Sequence, residues 1–180
     1  SRIKGADPLS YVEMASTGEV ACFGDSYAEA LLSAMLASGM RLPKKAIFVT
    51  LGGDEHKVKL LPSLEKLSAM GFKMYATEHT AAFLRTHNLE CERVYKINEG
   101  GTPSAISIIE EKLVDLIINI PSQPLARDQA DGFVIRRKAV DMNVPLITNR
   151  QLAEAFVSAL EEIHQHGLGS KAWSEFLKQS

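Results

Sequence analysis

Five short strand-like runs constrain this chain more than any other feature. They are Ala46 to Leu51 (AIFVTL), Phe72 to Ala76, Glu92 to Ile97, Val114 to Ile120 (VDLIINI) and Pro145 to Ile147. Stretches with helical periodicity separate them. Short runs rich in Val, Ile and Leu, with little polar alternation, mark strands buried on both faces. Such strands lie parallel, and the helices between them make right-handed crossovers that cover the sheet on both sides. The expected fold class is α/β, a three-layer α/β/α arrangement around a five-stranded parallel sheet.

The intervening helices have readable ends. Ser26 to Ser38 (SYAEALLSAMLAS) is rich in Ala and Leu; Gly39 is a stop and Pro43 bars continuation. A second helix runs from Asp54 to about Met70, with Pro62 placed to kink it and Gly71 to end it. Thr80 to Thr86 opens a short third. Pro103 suits the first turn of a helix reaching Lys112. A helix is expected near Phe133 to Met142, and Gln151 to Gln165 is amphipathic. Gly167 to Ser170 reads as a linker. Lys171 to Lys178 then carries Trp173, Phe176 and Leu177 on one face, so this tail is expected to dock.

Composition narrows the function classes. Hydrophobic residues make up 46% and charged residues 23% of 180, which fits a soluble globular domain with a real core. A net charge of −2 gives no global attraction to nucleic acid or an anionic membrane. Cys22 and Cys91 have no CxxC or Cys/His metal spacing, which favours a reducing compartment and no metal. No apolar run is long enough for a membrane helix. No GxxxxGK[ST], HExxH or triad pattern is present.

In a parallel sheet, ligands bind outside the carboxyl ends of the strands. The first strand ends at Thr50, followed by Gly52, Gly53, Asp54 and Lys57; the second is followed by Thr77, Glu78, His79 and Thr80. The third ends in Lys96, and the fourth leads into Asn119, Pro121 and Ser122. Hydroxyls, an amide, glycine-exposed N–H groups and two lysines make chemistry suited to an anion, aided by helix N-termini. Each piece has a plainer reading. Thr77 and Thr80 could cap the third helix, Lys57 could lie on a solvated face, and Asn119 could serve a turn. Arg136 and Arg137 are placed to pair with Asp131 or Asp141.

One stretch fits none of this. Glu13 to Val20 reads EMASTGEV, preceded by Gly5-Ala6-Asp7-Pro8 and followed by Phe23-Gly24. It resembles the closing segment of the second ATP-grasp half of the carbamoyl phosphate synthetase large subunit, GxDPxxxxEMxSTGEV. Downstream, Tyr75-Ala76-Thr77-Glu78-His79-Thr80, Lys96-Ile97-Asn98-Glu99-Gly100, Ile117-Ile118-Asn119, Val134-Ile135-Arg136-Arg137-Lys138-Ala139 and Val144-Pro145-Leu146-Ile147-Thr148-Asn149 continue the match. They resemble that family's C-terminal allosteric domain, which shares its fold with methylglyoxal synthase. The resemblance covers about residues 5–165.

The resemblance implies three parts. Residues 1–42 would be the end of the synthetase domain with a connector helix, 43–166 the regulatory domain, and 167–180 a linker and tail helix. The fragment would be non-catalytic and hold no cofactor or metal, with ATP and Mg used elsewhere in the parent enzyme. Expected partners are a small anionic effector, the synthetase domains of the same chain and a glutaminase domain or subunit, in the cytoplasm. Carried over residue by residue, the family's effector pocket falls on Lys57, Thr77, Thr80, Lys96 and Asn119, with Ser122 in the loop beyond. Ile120 and Pro121 replace the Thr or Ser that UMP-binding bacterial members carry, and Lys96-Ile97 stands where the N-acetylglutamate type has an aromatic residue. A uridine nucleotide or phosphoribosyl pyrophosphate is the expected effector of the pyrimidine type. Two alternatives are an N-acetylglutamate-responsive domain and a methylglyoxal synthase-like lyase. For the lyase, Gly100-Gly101-Thr102 stands where a GGD motif would supply the carboxylate base.

Overall fold

The computed structural model describes residues 20–122 and 130–167. The expectations for residues 1–19, including most of EMASTGEV, and for the tail beyond Gly167 lie outside those residues.

The sheet contains five parallel strands in the order β3-β2-β1-β4-β5. They are β1 (Ala46–Leu51), β2 (Lys73–Thr77), β3 (Glu92–Val94), β4 (Leu116–Ile120) and β5 (Leu146–Ile147). Helices α1 (Tyr27–Ala37), α2 (Asp54–Ala69), α3 (Glu78–Thr86), α4 (Ala105–Glu110), α5 (Ala130–Asp141) and α6 (Arg150–His166) connect and cover them. This is the α/β/α fold expected from the sequence. The chain leaves β3 at one edge and returns through α4 to β4 beside β1. That reversal of strand order lies between β1 and β4, and it opens a crevice at their carboxyl ends.

Period-two alternation divides the sheet's side chains between two cores. Ile47, Val49, Met74, Ala76, Leu116 and Ile118 pack with Leu32, Leu64, Leu84 and Phe156, which belong to α1, α2, α3 and α6. Phe48, Tyr75, Val94 and Ile117 pack with Ile108, Ile109, Ile135 and Ala139 of α4 and α5. Full burial of Phe48 and Phe156, both at 0% exposure, anchors one large ring in each layer.

Several element ends differ from the sequence expectation. The third helix starts at Glu78 rather than Thr80, because β2 runs one residue further, to Thr77, and turns directly into it. The fourth starts at Ala105; Ser104 caps it by accepting from the Ser107 N–H at 3.0 Å, so Pro103 lies just outside the helix. β3 stops at Val94, and Ile97 belongs to a 3-10 turn, Ile97–Glu99. Pro62 sits inside α2, which continues through it as one element with Pro62 exposed. α1 docks on α6: Ser26 Oγ donates to Glu162 Oε1 at 2.7 Å, and Leu32 is buried in the core.

The loops after β1 and β4 are pressed together at the crevice. The Gly52 N–H donates to the Ile120 carbonyl at 2.8 Å. A Cβ on Gly52 would overlap the backbone nitrogen of Ser122. Gly52→Ala is therefore expected to lower stability by about 1–3 kcal/mol through overpacking, read as a lower denaturant midpoint with an unchanged slope.

Candidate functional site

The site begins as a change of chemistry along three neighbouring strands. Phe48 of β1 pairs in register with Tyr75 of β2 and Ile117 of β4, and all three are buried toward α4 and α5. Two residues further along each strand, the same face carries Thr50, Thr77 and Asn119. Thr50 pairs in register with Asn119, and Thr77 Oγ1 donates to Thr50 Oγ1 at 3.3 Å. An apolar row thus gives way to a polar row where the sheet ends. Thr77 and Asn119 are only 5% and 4% exposed. Polar groups so deeply placed need partners, from the protein or from a guest.

Around this row lies a cleft of about 410 Å³. Lys57, Thr77, Thr80, Lys96, Asn119 and Ser122, the six residues selected from the sequence, all line it. Lys57 is not on a solvated face: its side chain is 12% exposed, and its ammonium sits 3.0 Å from Asp54 Oδ1. Lys96 follows β3 and starts the 3-10 turn, where its backbone N–H donates to Glu99 Oε2 at 3.0 Å. Among the described residues its ammonium meets no acidic group. Glu99 lies 3.9 Å from Arg93, which also pairs with Glu78 at the start of α3. The Arg93 guanidinium stacks 4.4 Å from the centre of the Tyr95 ring, and a Cβ on Gly101 would overlap that same ring. The loop carrying Lys96 is therefore clamped to β3 and to the N-terminus of α3.

Neither threonine caps α3. Thr77 occupies the cap position without a side-chain bond to the helix, and its hydroxyl turns to Thr50 instead. Thr80, 1% exposed, accepts the Leu51 N–H at 3.0 Å. Its own O–H remains a donor. With no side-chain cap bond from Thr77, and with Glu78 of its first turn paired to Arg93, α3 keeps its N–H groups for another acceptor.

α5 supplies the opposite wall through Asp131, Gly132 and Ile135. Of the two arginines expected to pair with Asp131 or Asp141, Arg137 does so, meeting Asp141 at 3.0 Å. Arg136 instead donates from Nη1 to Asn119 Oδ1 at 2.8 Å. Among the described residues, Asp131 is left as the carboxylate of the cleft lining. Thr50 was recoverable from strand parity with Phe48. The bond from Arg136 to Asn119 and the α5 wall had no sequence signal, because they depend on how α5 packs back over the end of β4.

A larger cleft of about 920 Å³ lies at the amino ends of β2 and β3. Its Lys73 is neutralised by Glu92 at 2.6 Å, which with Tyr75 pushes the ammonium up to about 12. Burial pushes the Cys91 thiol up, away from the reactive thiolate. Volume favours this cleft, but its main cation is already matched and it lies at the wrong end of the strands. Among the described residues, no cluster of His, Cys, Asp or Glu could hold a metal ion, and no helix is long and apolar enough to cross a membrane.

Among the described residues the smaller cleft thus offers two lysines, hydroxyl and amide groups and a helix N-terminus, with one carboxylate on the far wall. That arrangement can take an anion, and Asp131 can accept from a hydroxyl or amine elsewhere on it. Because Thr80 also satisfies the buried Leu51 N–H, Thr80→Val should cost about 1–3 kcal/mol. Thr80→Ser should stay near wild type in a denaturant titration. Equal stability of the two variants would show that the bond contributes nothing.

Comparison with known proteins agrees with the architecture. The MGS-like domain family matches residues 59–148. The multifunctional protein pyr-3 of Neurospora crassa is 39% identical over 179 residues, covering 95% of this chain and 10% of that protein. The mitochondrial carbamoyl-phosphate synthase [ammonia] of Homo sapiens is 39% identical over 165 residues, covering 89% and 11%. The chain spans about a tenth of the length of these two relatives. The crystal structure of methylglyoxal synthase from Elizabethkingia anophelis NUHP1 superimposes with a TM-score of 0.52 at 19% identity, over 77% of this chain and 94% of that one, and so shares the fold. With its strand order, its cleft and these matches in agreement, the chain belongs to the family of MGS-like domains.

Proposed function

We propose that this chain is the allosteric, effector-binding domain of a carbamoyl phosphate synthetase, and that a small phosphorylated anion occupies the cleft at the carboxyl ends of β1, β2 and β4. One observation carries the reading. Lys57 and Lys96, from separate elements, converge on a buried polar row beside the uncapped start of α3, and Lys96 has no acidic partner among the described residues. Thr80 and the N–H groups of α3 hold the anionic group, with Thr77 supporting them. Lys57 and Lys96 neutralise it, and Asn119 and Ser122 contact the other end of the ligand.

A uridine nucleotide or phosphoribosyl pyrophosphate suits this distribution. The relatives do not choose between effector types, since the pyr-3 protein and the human ammonia enzyme are each 39% identical. Lys96 favours the phosphorylated type: where the resemblance puts an aromatic residue in the N-acetylglutamate type, this chain brings a cation. The lyase reading lacks its base. Thr102 offers a hydroxyl, which is too weak a base to take a carbon-bound proton, and Asp131 is the lone carboxylate among the described residues lining the cleft.

Regulation requires that the effector's binding energy reach the synthetase domains. α1 is the strut for this, since it packs on α6 through Ser26 and Leu32 and leads back toward the EMASTGEV segment. The synthetase domains, with ATP and Mg, and a glutaminase would belong to the rest of a cytoplasmic parent enzyme.

The test is calorimetric titration of this chain with UTP, UMP, phosphoribosyl pyrophosphate, IMP and N-acetylglutamate at two salt concentrations. Saturable binding of a phosphorylated ligand is expected, weaker at high salt and weakened about tenfold or more in Lys96→Ala. Binding of N-acetylglutamate alone would move the domain to the arginine and urea branch. Binding of none of them would refute the effector reading.

A further inference from the structure

We propose that Arg136 is a positioning residue that fixes the Asn119 amide with its NH2 group toward the cleft, so that the ligand must present a hydrogen-bond acceptor at the end of β4. The inference rests on the effector-site reading above and adds a rule for what the site accepts. A guanidinium carries five donors and no acceptor. Its 2.8 Å contact with Asn119 therefore identifies the atom facing α5 as the carbonyl oxygen, Oδ1. The amide is planar, so Nδ2 points away from Arg136. Asn119 lines the cleft, and no acceptor among the described residues meets its Nδ2.

Rotation of the amide by half a turn would set NH2 against guanidinium, donor against donor. Asn119 is 4% exposed, and on its side toward Arg136, away from the cleft, there is little water to relieve that clash. The charge-assisted bond thus holds one orientation. Arg136 does not line the cleft itself; it acts through Asn119. The ligand group meeting β4 must then be a phosphate, carboxylate or carbonyl oxygen, while an amine or ammonium at that position is refused. With Lys57 and Lys96 demanding an anion elsewhere in the cleft, the ligand carries acceptors at two separated points. A nucleotide with a base carbonyl or a pyrophosphate-bearing sugar meets that rule.

Two measurements test the proposal separately from the effector reading. The first needs no ligand: water exchange of the Asn119 side-chain NH2 protons by nuclear magnetic resonance. Rapid exchange, as for an NH2 open to the cleft, is expected, and Arg136→Met should broaden or shift the pair. Protected NH2 protons would overturn the orientation whether or not anything binds. Rapid exchange together with no UTP binding would keep the orientation and sink the effector reading alone.

The second is a double-mutant cycle, with UTP affinity as the readout. Arg136→Met and Asn119→Leu should each weaken UTP by about tenfold, and the double variant should be no weaker than Asn119→Leu alone. Arg136→Lys, which keeps the charge, should recover part of the loss if it still reaches Oδ1. Fully additive losses would show that Arg136 acts on the anion by charge rather than through Asn119, and would overturn the proposal. So would wild-type affinity in Arg136→Met. Thermal midpoints of all variants identify any that lose affinity by unfolding.

Discussion

The in-register pairing of β1 with β2 and β4 is the constraint on which the rest of this structure depends. Phe48, Tyr75 and Ile117 form one buried apolar row, and strand periodicity then fixes Thr50, Thr77 and Asn119 as the next row on that face. A slip of one residue would turn the polar row into the opposite core, among Leu84 and Phe156. The register that stabilises the sheet is thus also the register that assembles the cleft. Stability and site geometry share one cause, so variants of the polar row must be read for both.

Around that row the protein spends its charged groups unevenly. Glu78, Arg93 and Glu99 satisfy one another and clamp the loop after β3, while Lys96, at the start of that loop, is left with its charge unmatched among the described residues. Lys57 is paired, yet with Asp54, whose side chain is 94% exposed and surrounded by water. A carboxylate so open to solvent is weakly held, so an anion in the cleft can replace Asp54 as the partner of the half-buried Lys57 with small loss. The clamp and the unmatched lysine together give a loop that holds its shape while presenting a cation. That is preorganisation, which reduces the ordering cost of binding.

Much of this was legible in the order of residues. β1 was recognised to the residue, because AIFVTL is apolar, β-branched and bounded by glycines and a proline-lysine turn. The positions of Lys57, Thr77, Thr80, Lys96, Asn119 and Ser122 near strand ends followed from the crossover rule, which needs only the strand boundaries. The start of α3 was misplaced by two residues, since Thr80 looks like a helix cap in sequence. It is a third-position residue whose hydroxyl serves the Leu51 N–H of another strand. A propensity for capping is local, and here a long-range bond overrode it.

The sequence alone determined a parallel α/β sheet and a polar, cationic edge, because both depend on local periodicity and on residue types at element ends. Only the tertiary structure decided how that edge is completed. The crossover from β4 to β5 brings α5 back over the end of β4, and so sets Asp131 in the wall and Arg136 on the Asn119 carbonyl. No spacing in the chain predicts that Arg136 turns to Asn119 while its neighbour Arg137 turns to Asp141. The two arginines differ by one step of 100° around a helix, and which of them faces the sheet is settled by the packing of Ile135 and Ala139 against the core.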